Sequence, residues 1–282
     1  MQQATTERSG RLGRAYRSFM RTAAASPHIV WAVMFIVLPL LIVAYYAFTD
    51  DAGQFSFENI LSLSEYADIF LLSVELSVIA TFICLLVGYP LAYMIARAPK
   101  HVQKILIMLL MLPMWTNLLI RTYSIMAILD DGGFLNTLLG TELHIIGTKG
   151  AVIFGMVYDF LPYMVLPIYT CISKINPNMW EAAEDLGCTP FQVISRVILP
   201  LSTSGVVSGV TMVLVPSIST FYISQKLGGG TFELIGDTIE RQFVSGALNT
   251  GAAISLVMML LILLSLAVMN RFTDADEGGV IV

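Results

Sequence analysis

Six apolar runs recur along the chain, each near 20 residues or longer, with short polar segments between them. They cover 28–48, 69–96, 105–129, 151–172, 201–224 and 251–269. A helix needs about 20 apolar residues to cross a bilayer, so the pattern predicts six transmembrane helices. The second run is long enough to be tilted or to extend beyond the lipid. Pro39, Pro90, Pro113, Pro162, Pro167 and Pro216 fall inside the runs. Each frees a backbone carbonyl, and lipid offers no donor, so these kinks are expected against neighbouring helices.

Between the fourth and fifth runs the pattern turns amphipathic. Asn176-Pro177 is a helix start, with a capping side chain followed by proline at the first helical position. Met179, Trp180, Ala182, Ala183 and Leu186 then form an apolar stripe, with Glu181, Glu184 and Asp185 toward the other face. Gly187 stands where a helix-terminating glycine belongs. Thr189-Pro190-Phe191-Gln192 restarts the helix with capping-box spacing. Phe191, Ile194, Val197 and Ile198 carry the apolar face on to Leu199-Pro200. The spacing predicts two short helices bent at Gly187. A hairpin lying on lipid would want basic residues near the headgroups. The first helix has none and is acidic, which favours a groove on another protein.

Composition supports the membrane reading. Of 282 residues, 56% are hydrophobic and 12% charged, with a mean hydropathy of +0.78. The charged fraction is about half that of soluble domains. The net charge of -5 follows the loops and gives no footprint for nucleic acid. Cys84, Cys171 and Cys188 are not placed for an extracellular disulfide. The first apolar run is long enough to span and lacks a cleavage site after it, unlike a removable signal.

Loop charges predict direction. Arg8, Arg11, Arg14, Arg17, Arg21, Arg97, Lys100, Lys104, Lys174, Arg196 and Arg271 lie on one side; Lys149, Lys226 and Arg241 lie on the other. Eleven cations against three place both termini and the amphipathic segment in the cytoplasm. The domain reading is a basic tail (1–27), a six-helix transmembrane domain (28–270) containing the cytoplasmic segment 173–200, and a C-terminal tail (271–282). The outer loops are acidic, including Asp50, Asp51, Glu58, Glu142, Glu233, Asp237 and Glu240. Such loops attract a cationic solute or a basic partner, or are simply what remains where cations are excluded.

Glu181-Ala182-Ala183, Gly187 and the ending Ile198-Leu199-Pro200 resemble the EAA loop of ABC importer permeases. Pro113-Met114-Trp115-Thr116-Asn117 with Arg121-Thr122-Tyr123 is similar to the third span of spermidine/putrescine permeases of the PotB type. So are Leu161-Pro162-Tyr163-Met164-Val165, Pro167-Ile168-Tyr169 and Thr220-Phe221-Tyr222-Ile223-Ser224. The resemblance covers the chain from the first span to about Gly251. It implies an all-α, type I importer permease fold in which Glu181, Ala182, Ala183, Gly187, Leu199 and Pro200 couple the spans to an ATPase. It also implies a second homologous permease, two copies of the ATPase and an extracellular polyamine-binding protein. No G-x-x-x-x-G-K-[ST] loop occurs in the sequence, so magnesium-bound ATP belongs to the partner ATPase and no cofactor to this chain.

Two charges fall inside apolar runs. Arg121 lies eight residues before Leu129, and Asp159 eight after Ala151. At about 1.5 Å per residue, both sit roughly 12 Å below the outer surface. Buried charges are costly unless paired, so a salt bridge is the leading expectation. The competing expectation makes Asp159 a partner for a substrate ammonium, with Trp115, Tyr158, Tyr163, Tyr169 and Tyr222 offering aromatic faces. Asn117 is expected to be buried and to need a partner on another helix. Ser204, Gly205, Ser208 and Gly209 form a small-residue face, suited to close helix packing or to an interface between permeases. An intramembrane enzyme fits poorly: His28, His101 and His144 lie at span ends or in loops, with no metal motif. A secondary transporter would show internal duplication, which is not evident.

Overall fold

The computed structural model describes residues 27–50, 52–141 and 143–277. The tail arginines Arg8, Arg11, Arg14, Arg17 and Arg21, together with Asp51, Glu142 and residues 278–282, lie outside the described residues. The described chain is all-α; its only strand-like feature is an isolated bridge between Thr49 and Phe55.

Helix α1 covers Pro27–Ala47. Short helical turns at Glu58–Leu61 and Ser62–Tyr66 lead into α2, Ala67–Arg97. Then come α3 (Lys100–Trp115), α4 (Leu118–Leu129), the short α5 (Phe134–Leu139) and α6 (Lys149–Ile172). The amphipathic segment forms α7 (Pro177–Asp185) and α8 (Pro190–Leu201). Helices α9 (Thr203–Ile218), α10 (Tyr222–Leu227), α11 (Ile235–Val244) and α12 (Leu248–Glu277) complete the chain. Among the described residues, four helices qualify as spans by length and composition, or up to six if each of two bent pairs counts as one.

The third and fifth runs are not single helices. The third breaks after Trp115, and its halves meet at 93°. Pro113 opens the last turn of α3, where the Thr116 hydroxyl donates to the Pro113 carbonyl at 2.6 Å. Asn117 then starts α4 by accepting the Leu119 N–H at 2.8 Å. Asn117 is therefore an exposed helix cap, not a buried group seeking another helix. The fifth run breaks at Ser202, where α8 and α9 meet at 76°, and again before α10.

Two prolines act through a change of helix type. Turns of π-helix at Val33–Val37 and Ile194–Ile198 each end just before a Leu-Pro pair, at Pro39 and Pro200. The wider turn takes up the missing N–H and the ring's clash with the preceding turn. Pro39 and Pro90 are exposed on this chain's surface, so neither kink packs against a helix of this chain.

Helices α2, α6 and α9 form the core. Tyr89, Tyr93, Met164, Val165, Ile168 and Val213 pack with Trp180, Val193 and Ile198 from the amphipathic segment. Glycines on α9 allow α6 to approach closely. A Cβ on Gly205 would lie 2.7 Å from Cys171 Cβ and 3.0 Å from the Pro167 carbonyl; one on Gly209 would lie 3.0 Å from the Met164 carbonyl. These two glycines thus serve packing within the chain. Ser204 and Ser208 instead border a surface groove of about 670 Å³ between α6 and α9, with Tyr163, Pro167 and Lys174.

Candidate functional site

The amphipathic segment is built by local capping. Asn176 accepts the Asn178 N–H at 3.1 Å to start α7. Gly187 takes φ +86°, a left-handed conformation natural to glycine. The Gly187 N–H then donates to the Glu184 carbonyl at 2.9 Å and the Cys188 N–H to that of Ala183 at 3.1 Å. This paired closure is a Schellman motif. Thr189 and Gln192 form a reciprocal capping box, with bonds of 3.4 and 2.8 Å, and restart the helix.

The predicted single apolar stripe divides in two. Trp180 and Ala183 are buried against this chain, as are Val193 and Ile198. Met179, Leu186 and Phe191 face outward, the last two 86% and 77% exposed. Glu181, Ala182, Gly187 and Pro200 are exposed, and Leu199 is 43% exposed. Of the two alanines, only Ala182 is free to meet another surface. The outward face joins large apolar side chains to a carboxylate, the makeup of a docking surface.

Beneath this segment a guanidinium ties it to α2. Arg97 Nη1 lies 3.0 Å from Glu184 Oε1 and donates to the Tyr93 hydroxyl at 2.9 Å. Its Cζ stands 5.7 Å from the Tyr93 ring centroid and 5.9 Å from that of Trp180. Sequence reasoning counted Arg97 only as a loop cation, because Glu184 is remote in sequence.

Arg121 and Asp159 are brought together deep in the fold. Arg121 Nε lies 2.5 Å from Asp159 Oδ1, with side-chain exposures of 12% and 2%. Arg121 Nη1 also donates to the Pro113 carbonyl at 3.0 Å. One guanidinium thus holds the end of α3, the start of α4 and the middle of α6. Asp159 Oδ2 has no hydrogen-bond partner among the described residues.

The aromatic candidates do not gather around Asp159. Tyr158 lines a cavity of about 310 Å³ with Thr116, Arg121, Ser124 and Phe154. Tyr163 lines the separate α6–α9 groove. Trp115 is 74% exposed at the α3–α4 bend. Tyr169 donates to Gln103 at 3.0 Å. Tyr222 sits edge-on to Tyr123, and Lys226 Nζ lies 5.8 and 5.5 Å from these two rings. Glu75 is exposed, 3.8 Å from Lys149. No cluster of three potential metal ligands occurs among the described residues.

Asp237 organises a corner between the fifth and sixth runs. Its carboxylate accepts the Ser224 hydroxyl and the Leu234 N–H, each at 2.8 Å. The Ile235 N–H donates to Ser73 on α2 at 2.8 Å. Burial pushes the Asp237 carboxyl up to about 6; the Leu234 and Ser224 bonds oppose this, and Glu233 and Glu240 add to it.

The comparisons with known proteins agree with this architecture. Residues 3–275 match the family of binding-protein-dependent transport system inner membrane components. The chain belongs to that family. It is therefore a membrane transport permease of ABC importer systems, which work with ATPase and binding-protein partners, and not a catalytic enzyme. It is 38% identical over 256 residues to the spermidine/putrescine transport system permease protein PotB of Haemophilus influenzae, covering 86% of this chain and 90% of that one. It is 37% identical over 253 residues to PotB of Escherichia coli, covering 83% and 92%. Among solved structures, a chain of a bacterial alginate ABC transporter bound to its periplasmic protein superposes with a TM-score of 0.74 at 18% identity, covering 92% and 95%. The MetNI methionine ABC transporter gives 0.54 at 15% identity, covering 73% and 94%. These likenesses concern the fold alone.

Proposed function

We propose that this chain imports polyamines, such as spermidine and putrescine, as one of two related permeases driven by a separate ATPase. Identity of 37–38% to PotB permeases over most of the chain carries the solute reading. The acidic residues of the outer loops suit a cationic solute but do not select it. The complex comprises a second homologous permease, two ATPase copies that hydrolyse magnesium-bound ATP, and an extracellular polyamine-binding protein. Both termini and α7–α8 face the cytoplasm, in keeping with the excess of lysine and arginine on that side.

Within this reading α7 and α8 dock in the ATPase. Glu181, Ala182, Gly187, Leu199 and Pro200 form or border the contacting surface, and Ala183 seats the helix on its own chain. ATP shifts the inward–outward balance only through a difference in how the ATPase holds the segment in the two states. Arg121 and Asp159 brace the α3–α4 bend; the burial of Asp159 argues against its serving as an open ammonium site in this state.

The test is uptake into proteoliposomes holding the full complex, with ATP at the ATPase face and loaded binding protein at the other. ATP-dependent accumulation of labelled spermidine is expected. Accumulation of iron, thiamine or a phosphonate instead would reassign the solute, and uptake driven by an ion gradient without ATP would replace the whole reading.

A further inference from the structure

We infer that Arg97 is a positioning residue that fixes α7 to α2, so that displacement of α7 is delivered directly to α2 as well as to α6, the helix that precedes it in sequence. This rests on the reading of α7–α8 as the ATPase-docking segment.

Three observations converge on α2. First, the guanidinium of Arg97 touches two groups on α7, Glu184 and Trp180, and one on α2, Tyr93. Second, the far end of the segment also ends on α2. The Tyr89 hydroxyl lies 2.9 Å from the Ser202 hydroxyl, at the bend between α8 and α9, where Ser202 is fully buried. Third, the buried faces of α7 and α8 share a cluster with Tyr89, Ala92, Tyr93, Ile95 and Ala96 from the inner third of α2, together with Met164, Val165, Ile168 and Ile172 from α6. The segment is thus tied to α2 by polar contacts at both ends, while its buried face packs on α2 and α6 together.

Its covalent connections are weaker levers. α7 is joined to α6 through the turn Ser173–Asn176, and α8 meets α9 across a 76° bend. Bends of that kind absorb motion; packed helix faces and a planar ion pair transmit it. The α2 end is itself held firm. Gln103 donates to the carbonyls of Ala96 and Ala98 at 2.9 and 2.7 Å, and Tyr169 of α6 donates to Gln103. A push at Glu184 or Trp180 therefore reaches a stiff post.

The chemistry explains why arginine stands here. Both charges of the pair are 39% exposed, and an ion pair that open contributes little alone. The planar guanidinium adds contact with two aromatic rings while still reaching the carboxylate. Lysine would keep the charge and lose the plane.

The experiment uses the complete complex in proteoliposomes. It measures solute imported per ATP hydrolysed, together with cross-linking of an Ala182→Cys variant to the ATPase. Arg97→Ala is expected to lower imported solute per ATP about fivefold to tenfold, on the scale of a lost ion pair and two ring contacts, with the cross-link retained. Arg97→Lys, which keeps the charge and the fold, is expected to fall between wild type and Arg97→Ala. If Arg97→Ala and Arg97→Lys both assemble, cross-link and keep the wild-type ratio, the inference is overturned while the docking reading stands. If the cross-link is absent in the otherwise wild-type complex, the docking reading falls first.

Discussion

Removing one half of the Arg121–Asp159 pair provides a quantitative test of how the broken third span is held. Asp159 is 2% exposed and Arg121 12%. Taking away one member of a buried pair costs about 3–5 kcal/mol, because the other charge is left uncompensated. The two removals are not equivalent. Asp159→Leu strands a guanidinium that cannot lose its proton, and the Pro113 carbonyl is the acceptor left to it. Arg121→Met strands a carboxylate, which escapes by taking up a proton, so its cost should be nearer 1–3 kcal/mol on the scale of unpaired polar groups. Replacing both, as Asp159→Leu with Arg121→Met, should recover most of the loss, since apolar substitutes for a buried pair are often neutral. The assay is thermal unfolding of the purified complex at a fixed scan rate, because unfolding of such assemblies is often irreversible. A coupling energy of about 2 kcal/mol or more is expected from the cycle. Additive single effects, or Asp159→Leu unfolding at the wild-type temperature, would refute the brace. Reversing both charges should likewise restore uptake that either reversal alone abolishes.

Three further outcomes follow from the geometry. Gly205→Val should force α6 and α9 apart, since even a Cβ would meet the Pro167 carbonyl; a cost of about 1–3 kcal/mol is expected, read as lost thermal stability, and wild-type stability would contradict the packing. Gly187→Val places a β-branched residue at φ +86°; strain of about 1–3 kcal/mol should loosen the α7–α8 turn, visible as faster amide exchange over 183–192, while unchanged exchange would show that the turn is not under this constraint. Asp237 holds its proton longer in the folded state, up to about 6 against an ordinary 3.8. Its contribution is therefore favourable in acid and fades as pH rises from about 4 through 6. Amide protection factors across 222–244, taken after correction for the intrinsic rise of exchange with pH, should fall over that interval, and Asp237→Asn should flatten their profile; protection that rises with pH would overturn the assignment.

Much of the fold was legible because hydropathy reports burial in lipid directly. The amphipathic segment was legible because its helix ends depend on nearby caps: Asn176, Gly187 and the Thr189–Gln192 box all act within a few residues. The matched depth of Arg121 and Asp159 could be reckoned because α4 and the first half of α6 are unbroken. The breaks were harder. Thr116-Asn117 sits inside an apolar run, and only its polarity three residues after Pro113 hints at a new helix start. Arg97 looked like one more topology cation because Glu184 and Trp180 reach it only after the chain has crossed the fold. The aromatic candidates failed to converge because aromatic spacing within a span does not reveal which face meets core, lipid or a partner. Trp115, Tyr158, Tyr163 and Tyr222 in fact occupy four different settings.

The central claim is that α7 and α8 carry the ATPase's motion from the cytoplasmic side. Site-specific cross-linking from Cys188, half-buried beside Gly187, tests it most directly in the intact complex. The account predicts a cross-link to the ATPase whose yield changes with ATP. Absence of any product with the ATPase, or labelling of Cys188 by an impermeant reagent added outside intact cells, would contradict it.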